Sequence, residues 1–391
     1  MIKLSLNARA VQRVTSGYPW VFRSDITNPR EMDGEVPAAE ALFCDELGKV
    51  IATGYANPQT QLAGRVLAKG NVKLDQTFFE SKFAQALDWR QQCFPGQDYY
   101  RLVHAESDGL PGLIIDRFGD TLVVQINTGG MELLKDRWLP ALQAAVPVKS
   151  IIFKNDGNNR TLEGLEENLE IIQGSIPEDG RVPLIENDAT FFADVKEGQK
   201  TGWFYDHRPH RAWVANLSKG KSMIDIFCHT GAFGVTAGIN GAADVTFVDA
   251  SAPAIELTKY NAQQNGIFDK STFIVGKAFD VLENMKTRYD VVSVDPPAFV
   301  KTKKDLASGL KGYEKLARLS VPLVKYGGVM FFASCSSHPT EKEILDAVIA
   351  GSAKAGRQAC LVYSGTAGPD HPMHPQLPET RYLKALGFRV Y

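Results

Sequence analysis

SMIDIFCHTGAFGVTAGINGAADVTFVDAS, residues 222–251, decides the fold. The apolar run 223–227 predicts a buried strand. Gly231 and Gly234 predict a tight turn, and residues 233–239 a short helix packed on a sheet. Residues 245–248 predict the next strand, which ends on Asp249. An acid at the end of the second strand of a βαβ unit can accept hydrogen bonds from both hydroxyls of a ribose. The glycines would let a ligand approach the backbone closely.

The loop also bears on the class of ligand. A dinucleotide site calls for G-x-G-x-x-G, with a pyrophosphate on the helix N-terminus. Here the loop is Thr230-Gly231-Ala232-Phe233-Gly234, which lacks the first close glycine pair. S-adenosylmethionine carries a ribose and an adenine but no phosphate, so it needs fewer glycines. Asp225, inside the first strand, suits its methionyl ammonium or a water beside it. A structural βαβ unit with no ligand remains open at this point.

Length and composition bound the rest. A chain of 391 residues implies two or three domains. Hydrophobic content of 44% and charged content of 23% are ordinary for a globular protein. No run approaches the roughly 18 apolar residues of a membrane span, and the N-terminus has no signal-peptide pattern. No membrane partner and a cytoplasmic location are expected. Five scattered cysteines without a C-x-x-C pair disfavour both a zinc ribbon and a disulfide framework. No metal is expected, and His104, Glu106 and Asp108 read as a solvated turn.

The net charge of −2 does not announce a nucleic-acid binder, but the distribution of charge says more. Residues 1–30 hold Lys3, Arg9, Arg13, Arg23 and Arg30 against Asp25. Residues 300–325 hold Lys301, Lys303, Lys304, Lys311, Lys315, Arg318 and Lys325 against Asp305 and Glu314. Such patches can track phosphates on a neutral protein, and the alternative is a solvated surface.

In chain order, short strands are expected at 41–44, 50–55 and 64–67, with Trp20 and Phe22 beside Arg23. This pattern suits a small β-barrel that binds nucleic acid, or a plain β module. A helix at 74–92 is followed by a β, β, α, β, β pattern. Residues 198–208 hold Trp203, Phe204 and Tyr205, aromatics able to stack on a cofactor, or to plug the sheet. Asp206 is expected to cap a helix over 208–216. Ser251 caps a helix with Pro253 in its first turn. Further strands are expected at 272–275, at 291–294 before Asp295-Pro296-Pro297-Ala298-Phe299, and at 328–333 before Ser334-Cys335-Ser336, with a helix over 310–324. Strands alternating with helices predict an α/β, Rossmann-like, doubly wound parallel sheet whose ligand sits at the carboxyl ends of the strands. Asp225, Asp249, Asp295 and Cys335 all fall there.

Cys335 and Asp295 suggest a chemistry. C5 of a pyrimidine is a poor nucleophile until a thiolate adds at C6 and makes C5 enamine-like. C5 then takes a methyl group, a base removes the C5 proton and the thiolate leaves. An acid near N3 and N4 stabilises the adduct. His338 reads as a cap for the next helix, with removal of the C5 proton as the alternative.

At these residues the chain resembles a known family, the bacterial 23S ribosomal RNA 5-methylcytosine methyltransferases with an N-terminal PUA domain. The resemblance rests on residues 17–22, 106–117 and 198–208, on Phe227-Cys228-His229-Thr230-Gly231, on residues 295–299 and 334–336, and on His371-Pro372-Met373-His374-Pro375. It implies a PUA-like RNA-binding domain at 1–72, a central α+β domain at 73–185 and a class I methyltransferase domain at 186–391. It implies S-adenosylmethionine held by Phe204, Asp206, Asp225, Phe227, Gly231, Phe233, Asp249, Ser251, Asp280 and Asp295. Cys335 and Asp295 would be catalytic, and Arg13, Trp20, Arg23, Lys301 and Lys303 would bind ribosomal RNA. A homodimer is left open.

Two departures stand out. Lys277 occupies the position where an acid often meets adenine, which leaves Asp280 or a backbone amide for that task, or a weaker hold on the cofactor, and no cysteine flanks Pro296-Pro297 to help release the product. The competing readings are a methyltransferase acting on an exocyclic base nitrogen, a non-catalytic RNA-binding protein of the same fold, and a nicotinamide dehydrogenase.

Overall fold

The computed structural model describes residues 1–34, 37–157 and 159–391. The chain divides into two compact units. One comprises Met1–Val182, Ala193–Trp203 and Pro369–Pro378, the other Pro183–Phe192, Phe204–Gly368 and Glu379–Tyr391.

The first unit contains two sheets. A five-stranded sheet runs in the order Ile2–Ser5, Ala39–Cys44, Val50–Ala56, Gly64–Lys69, Trp20–Val21. The three expected strands are present. The first strand and a helix over Ala8–Thr15, capped by Asn7 through a 2.9 Å bond from the Ala10 amide, were not expected. The second sheet holds Tyr99–His104, Leu113–Phe118, Thr121–Ile126, Ser150–Asn155 and Asn168–Gln173. The helix Gln76–Cys93 begins on Asp75, which accepts from the Phe78 amide at 3.2 Å.

Residues 1–72 and the segment that follows share a core. Tyr55 and Leu67 lie in the same apolar cluster as Phe79, Phe83, Leu113 and Trp138. The Tyr55 hydroxyl is 2.8 Å from the Pro111 carbonyl. A side chain at Gly130 would collide with the Tyr55 ring, so glycine is required there.

The expected solvated turn at 104–112 is instead an internal ion pair. Asp108 takes both Arg90 amino groups, at 2.6 and 2.8 Å, and Arg90 is fully buried. A buried guanidinium needs such a bidentate partner.

The second unit is built on a seven-stranded sheet. Its strands are β1 (Ser222–Ile226), β2 (Asp244–Asp249), β3 (Ser271–Val275), β4 (Tyr289–Val294), β5 (Val324–Ser334), β6 (Ala359–Gly365) and β7 (Lys384–Val390). The spatial order is β3-β2-β1-β4-β5-β7-β6. The first five are parallel, and β7 runs antiparallel to both β5 and β6. The helices are α1 (Arg208–Ser218), α2 (Ala232–Ile239), α3 (Ala252–Gln264), α4 (Ala278–Asn284), α5 (Leu306–Ser320) and α6 (Glu341–Lys354). Ile224, Ile226, Val292, Val294, Met330 and Phe332 form the centre of the core. These β-branched and aromatic runs, buried on both faces, are why the parallel strands were legible.

The helix expected over 310–324 ends at Ser320, and β5 starts at Val324, earlier than the expected 328. The positive φ of Gly327 (+75°) is absorbed as an irregularity between β4 and β5, so the strand continues through residues that read as a turn. No described helix is long and apolar enough to cross a membrane.

Candidate active site

The loop after β1 is held in an unusual conformation. Phe227 (φ +63°) and His229 (φ +49°) lie in the left-handed region, as does Gly231 (φ +81°). Non-glycine residues enter this region at a cost, and persist there only when their surroundings enforce it. Here the His229 amide donates to Asp249 (2.9 Å), the Thr258 hydroxyl to the His229 carbonyl (2.8 Å) and the Asn261 side chain to the Thr230 carbonyl (3.0 Å).

The two glycines are required by packing. A side chain at Gly231 would meet Thr258, and one at Gly234 would meet Phe247 and Val245. They let the loop and α2 seat against protein.

Asp249 ends β2 half-exposed. One of its oxygens accepts from the His229 amide and the other from the Ser251 amide at 2.8 Å. Its carboxylate is therefore fixed in orientation, with lone pairs remaining on both oxygens. Ser251 caps α3 as expected, accepting from the Ala254 amide at 3.3 Å.

Asp225 is buried. One oxygen accepts from the Gly234 amide at 3.0 Å; the other has no partner in hydrogen-bonding geometry among the described residues. Burial pushes its carboxyl up to about 7, the Gly234 amide opposes this, Asp295 adds to it, and the Ser293 hydroxyl beside it also helps to hold the carboxyl down. An orphaned buried carboxylate oxygen is costly unless a donor or a cation meets it.

Asp206 does not cap α1. A 3-10 turn over Tyr205–His207 precedes the helix, and the buried Asp206 accepts from the Tyr382 hydroxyl at 2.5 Å. Phe204 stands edge-on to His229, with ring centres 5.3 Å apart. Phe233 is buried against His207 and Phe331. Phe227 is half-buried, and Asp280 is exposed on the first turn of α4 after an exposed Lys277.

At the end of β4, Asp295 meets His207, with Nε2 3.3 Å from a carboxylate oxygen. Burial alone would push His207 down. The Asp295 charge and hydrogen bond, with Asp206 behind them, carry it above its ordinary value.

Cys335 follows β5 and is partly exposed, its sulfur 4.0 Å from the Pro296 carbonyl oxygen. Tyr313 on α5 ties this turn to the Asp-Pro-Pro-Ala-Phe loop. Its hydroxyl is 2.8 Å from the Ser336 hydroxyl and 2.9 Å from that of Ser334, and Ser336 accepts from the Val300 amide at 3.1 Å. Burial raises the thiols of Cys44, Cys93 and, most of all, Cys228, which is fully enclosed. His338 does not cap α6; Thr340 does, in a capping box with Glu343.

The expected RNA-binding residues divide. Arg13 is ion-paired with Asp25 and lies over the rings of Tyr18 and Phe22. The Trp20 indole donates to Glu106 at 2.9 Å, and Arg23 donates to the Pro58 carbonyl at 2.8 Å. All three are engaged within their own unit. Lys301 and Lys303 are exposed. Sequence reading missed His207, Tyr313 and Lys384. Only the placing of His207 beside Asp206 in an aromatic stretch hinted at any of them.

Residues 170–389 match the family described as S-adenosylmethionine-dependent methyltransferase, and residues 4–69 match the PUA-like domain. The chain belongs to the S-adenosylmethionine-dependent methyltransferase family. This methyltransferase is 32% identical over 382 residues to a protein from Shigella boydii named ribosomal RNA large subunit methyltransferase I, with 95% of each chain covered. A protein of the same name from Klebsiella pneumoniae is 33% identical over 385 residues, covering 95% of this chain and 94% of its own. In fold, the methyltransferase is similar to a SAM-dependent methyltransferase from Streptococcus mutans, with a TM-score of 0.83, 21% identity and full coverage of both chains. A second similar structure, a methyltransferase complexed with SAH, gives a TM-score of 0.84 at 20% identity.

S-adenosylmethionine is the methyl donor of this family. The orphaned oxygen of Asp225 and the oriented carboxylate of Asp249 fit a ligand that carries an ammonium and a ribose.

Proposed function

We propose that this methyltransferase modifies C5 of a cytosine in large-subunit ribosomal RNA, through a covalent adduct with Cys335. The observation that carries the reading is the locked pair of turns. Tyr313 and Ser336 hold the Cys335 turn against the loop that begins at Asp295, so a thiol and an acid stand at neighbouring strand ends. The names of the relatives support ribosomal RNA as the substrate.

Asp225 would hold the cofactor's ammonium and Asp249 its ribose, with Phe204, Asp206, Phe227, Gly231, Phe233, Ser251 and Asp280 around or near them. Bound S-adenosylmethionine would supply an electrophilic methyl group. The Cys335 thiolate adds to C6 of the base, and the electron pair of the C5–C6 bond becomes available at C5. Asp295, its orientation set by His207, would hold the N3 and N4 edge and stabilise the charge that develops there. After C5 is methylated, a base takes the C5 proton, the double bond re-forms and the thiolate leaves. Lys301 and Lys303 would contact phosphates. Residues 1–72 would serve as the PUA-like RNA-binding domain, 73–185 as the central domain and 186–391 as the catalytic one.

An enzyme acting on an exocyclic nitrogen would turn the aromatic of its Asp-Pro-Pro loop onto the base. Here Phe299 packs on Tyr313, with ring centres 4.7 Å apart, and on Phe279. Digestion of RNA methylated by the enzyme, followed by mass spectrometry of the nucleosides, tests the reading. It predicts 5-methylcytidine, and N4-methylcytidine would overturn it.

A further inference from the structure

The Cys335 turn has a cationic neighbour that the proposed chemistry leaves without a role. Lys384 opens β7, directly opposite Ser334 in the β5–β7 ladder. The residue is only 7% exposed. Its ammonium donates to the Ser336 carbonyl at 2.7 Å and to the Tyr382 carbonyl at 3.1 Å. Ser334 and Ser336 flank Cys335, so β7 delivers a buried positive charge to the backbone of the nucleophile's own turn. No carboxylate lies within ion-pair distance of Lys384 among the described residues. Glu341 is drawn to Arg381, at 3.6 Å, and Glu343 accepts from the Thr340 amide and hydroxyl.

Burying an ammonium without an anionic partner is expensive, and proteins rarely retain one unless it serves a purpose. The group closest to it in effect that can become anionic is the Cys335 thiol. Burial pushes Lys384 down to about 8, and Cys335 is the strongest influence opposing that fall, ahead of Glu341 and Glu343. By reciprocity, the ammonium favours the Cys335 thiolate. The other titratable groups around the turn are Tyr313 on α5, Arg381 ahead of β7, Glu341 and Glu343 on α6, and Asp295 at the end of β4.

We propose that Lys384 is a positioning residue whose buried ammonium holds Cys335 in its nucleophilic thiolate form. The proposal rests on the reading of Cys335 as the nucleophile. A purely structural tether for two carbonyls would need the hydrogen bonds but not the charge coupling.

The test reads the thiol itself. The full-length protein is alkylated with iodoacetamide across pH 6–10, and the modification of Cys335 and of the exposed Cys360 is measured by peptide mass spectrometry. Lys384→Met keeps the length of the side chain and removes its charge. It is expected to raise the pH midpoint for Cys335 by about one unit and to slow its alkylation at pH 7 roughly tenfold. Cys360 should be unchanged. Lys384→Arg should keep the wild-type midpoint. An unshifted Cys335 midpoint in folded Lys384→Met overturns the proposal. If that variant does not fold, the wild type decides: Cys335 must ionise at lower pH than Cys360, and equal midpoints overturn the proposal. The alkylation readout does not require turnover. Full activity in Cys335→Ser would therefore refute the nucleophile while leaving the Lys384 coupling measurable.

Discussion

His207 Nε2 and an Asp295 carboxylate oxygen lie 3.3 Å apart, which joins the segment before β1 to the end of β4. The pair fixes the orientation of the acid of the Asp-Pro-Pro-Ala-Phe loop. His207 lies above its ordinary 6.5 in the folded protein, because the attraction of Asp295 outweighs burial.

A group raised on folding stabilises fully below its unfolded value and loses that contribution as pH rises through its folded value. The His207–Asp295 contribution should therefore be complete below about pH 6.5 and fade above it. In Asp295→Asn, an NMR titration should find the His207 midpoint lowered. His207→Gln should slow turnover by roughly 10- to 100-fold, as expected for a lost charge-assisted bond, while leaving S-adenosylmethionine affinity nearly unchanged. An unmoved His207 midpoint in Asp295→Asn would show that the two are not coupled.

The proposed contact between Asp225 and the cofactor's ammonium predicts a pH dependence of binding. Its free carboxyl lies at about 7, raised by burial. Only the carboxylate attracts an ammonium, so affinity for S-adenosylmethionine should rise as pH passes upward through 7. Calorimetry at pH 6 in buffers of different ionisation enthalpy should detect proton release on binding. Asp225→Asn should abolish that release.

Asp249→Ala removes two oriented acceptors and should weaken cofactor binding by about 1.5–3 kcal/mol. It also frees the His229 and Ser251 amides, so thermal melting of the free protein must accompany the calorimetry. Unchanged cofactor affinity in a folded variant would take the ribose away from Asp249.

Much of this site was legible because its parts sit at strand ends. The runs that form β1, β2 and β4 are short and mostly apolar, so Asp225, Asp249 and Asp295 could be placed in or just past the strands toward the carboxyl edge of the sheet. The antiparallel β6 and β7 were not legible. Ala359–Gly365 is an edge strand with mostly exposed side chains, and Gly387, where a side chain would collide with Trp213, interrupts β7. Lys384 went unseen with its strand. Pairings between distant residues were equally hidden. Nothing local in the sequence tells that Arg13 belongs to Asp25, that Trp20 belongs to Glu106, or that Tyr55 completes a core with Trp138.

The shared core also changes how RNA binding should be probed. Removing residues 1–70 would strip Tyr55 and Leu67 from the cluster around Phe83 and Trp138. Point substitutions at the exposed Lys301 and Lys303 avoid that damage. Each change to alanine should weaken RNA binding and reduce the slope of log affinity against log salt by about 1. An unchanged slope in the double variant would place the phosphates elsewhere.

The proposed covalent role of Cys335 is tested most directly by trapping. RNA carrying 5-fluorocytosine at the target, incubated with enzyme and S-adenosylmethionine, cannot lose fluorine from C5 as a proton is lost. The wild type should form a denaturation-resistant protein–RNA adduct that maps to Cys335, and Cys335→Ser should form none while binding S-adenosylmethionine normally. A Cys335→Ser protein that methylates RNA at the wild-type rate would contradict the account.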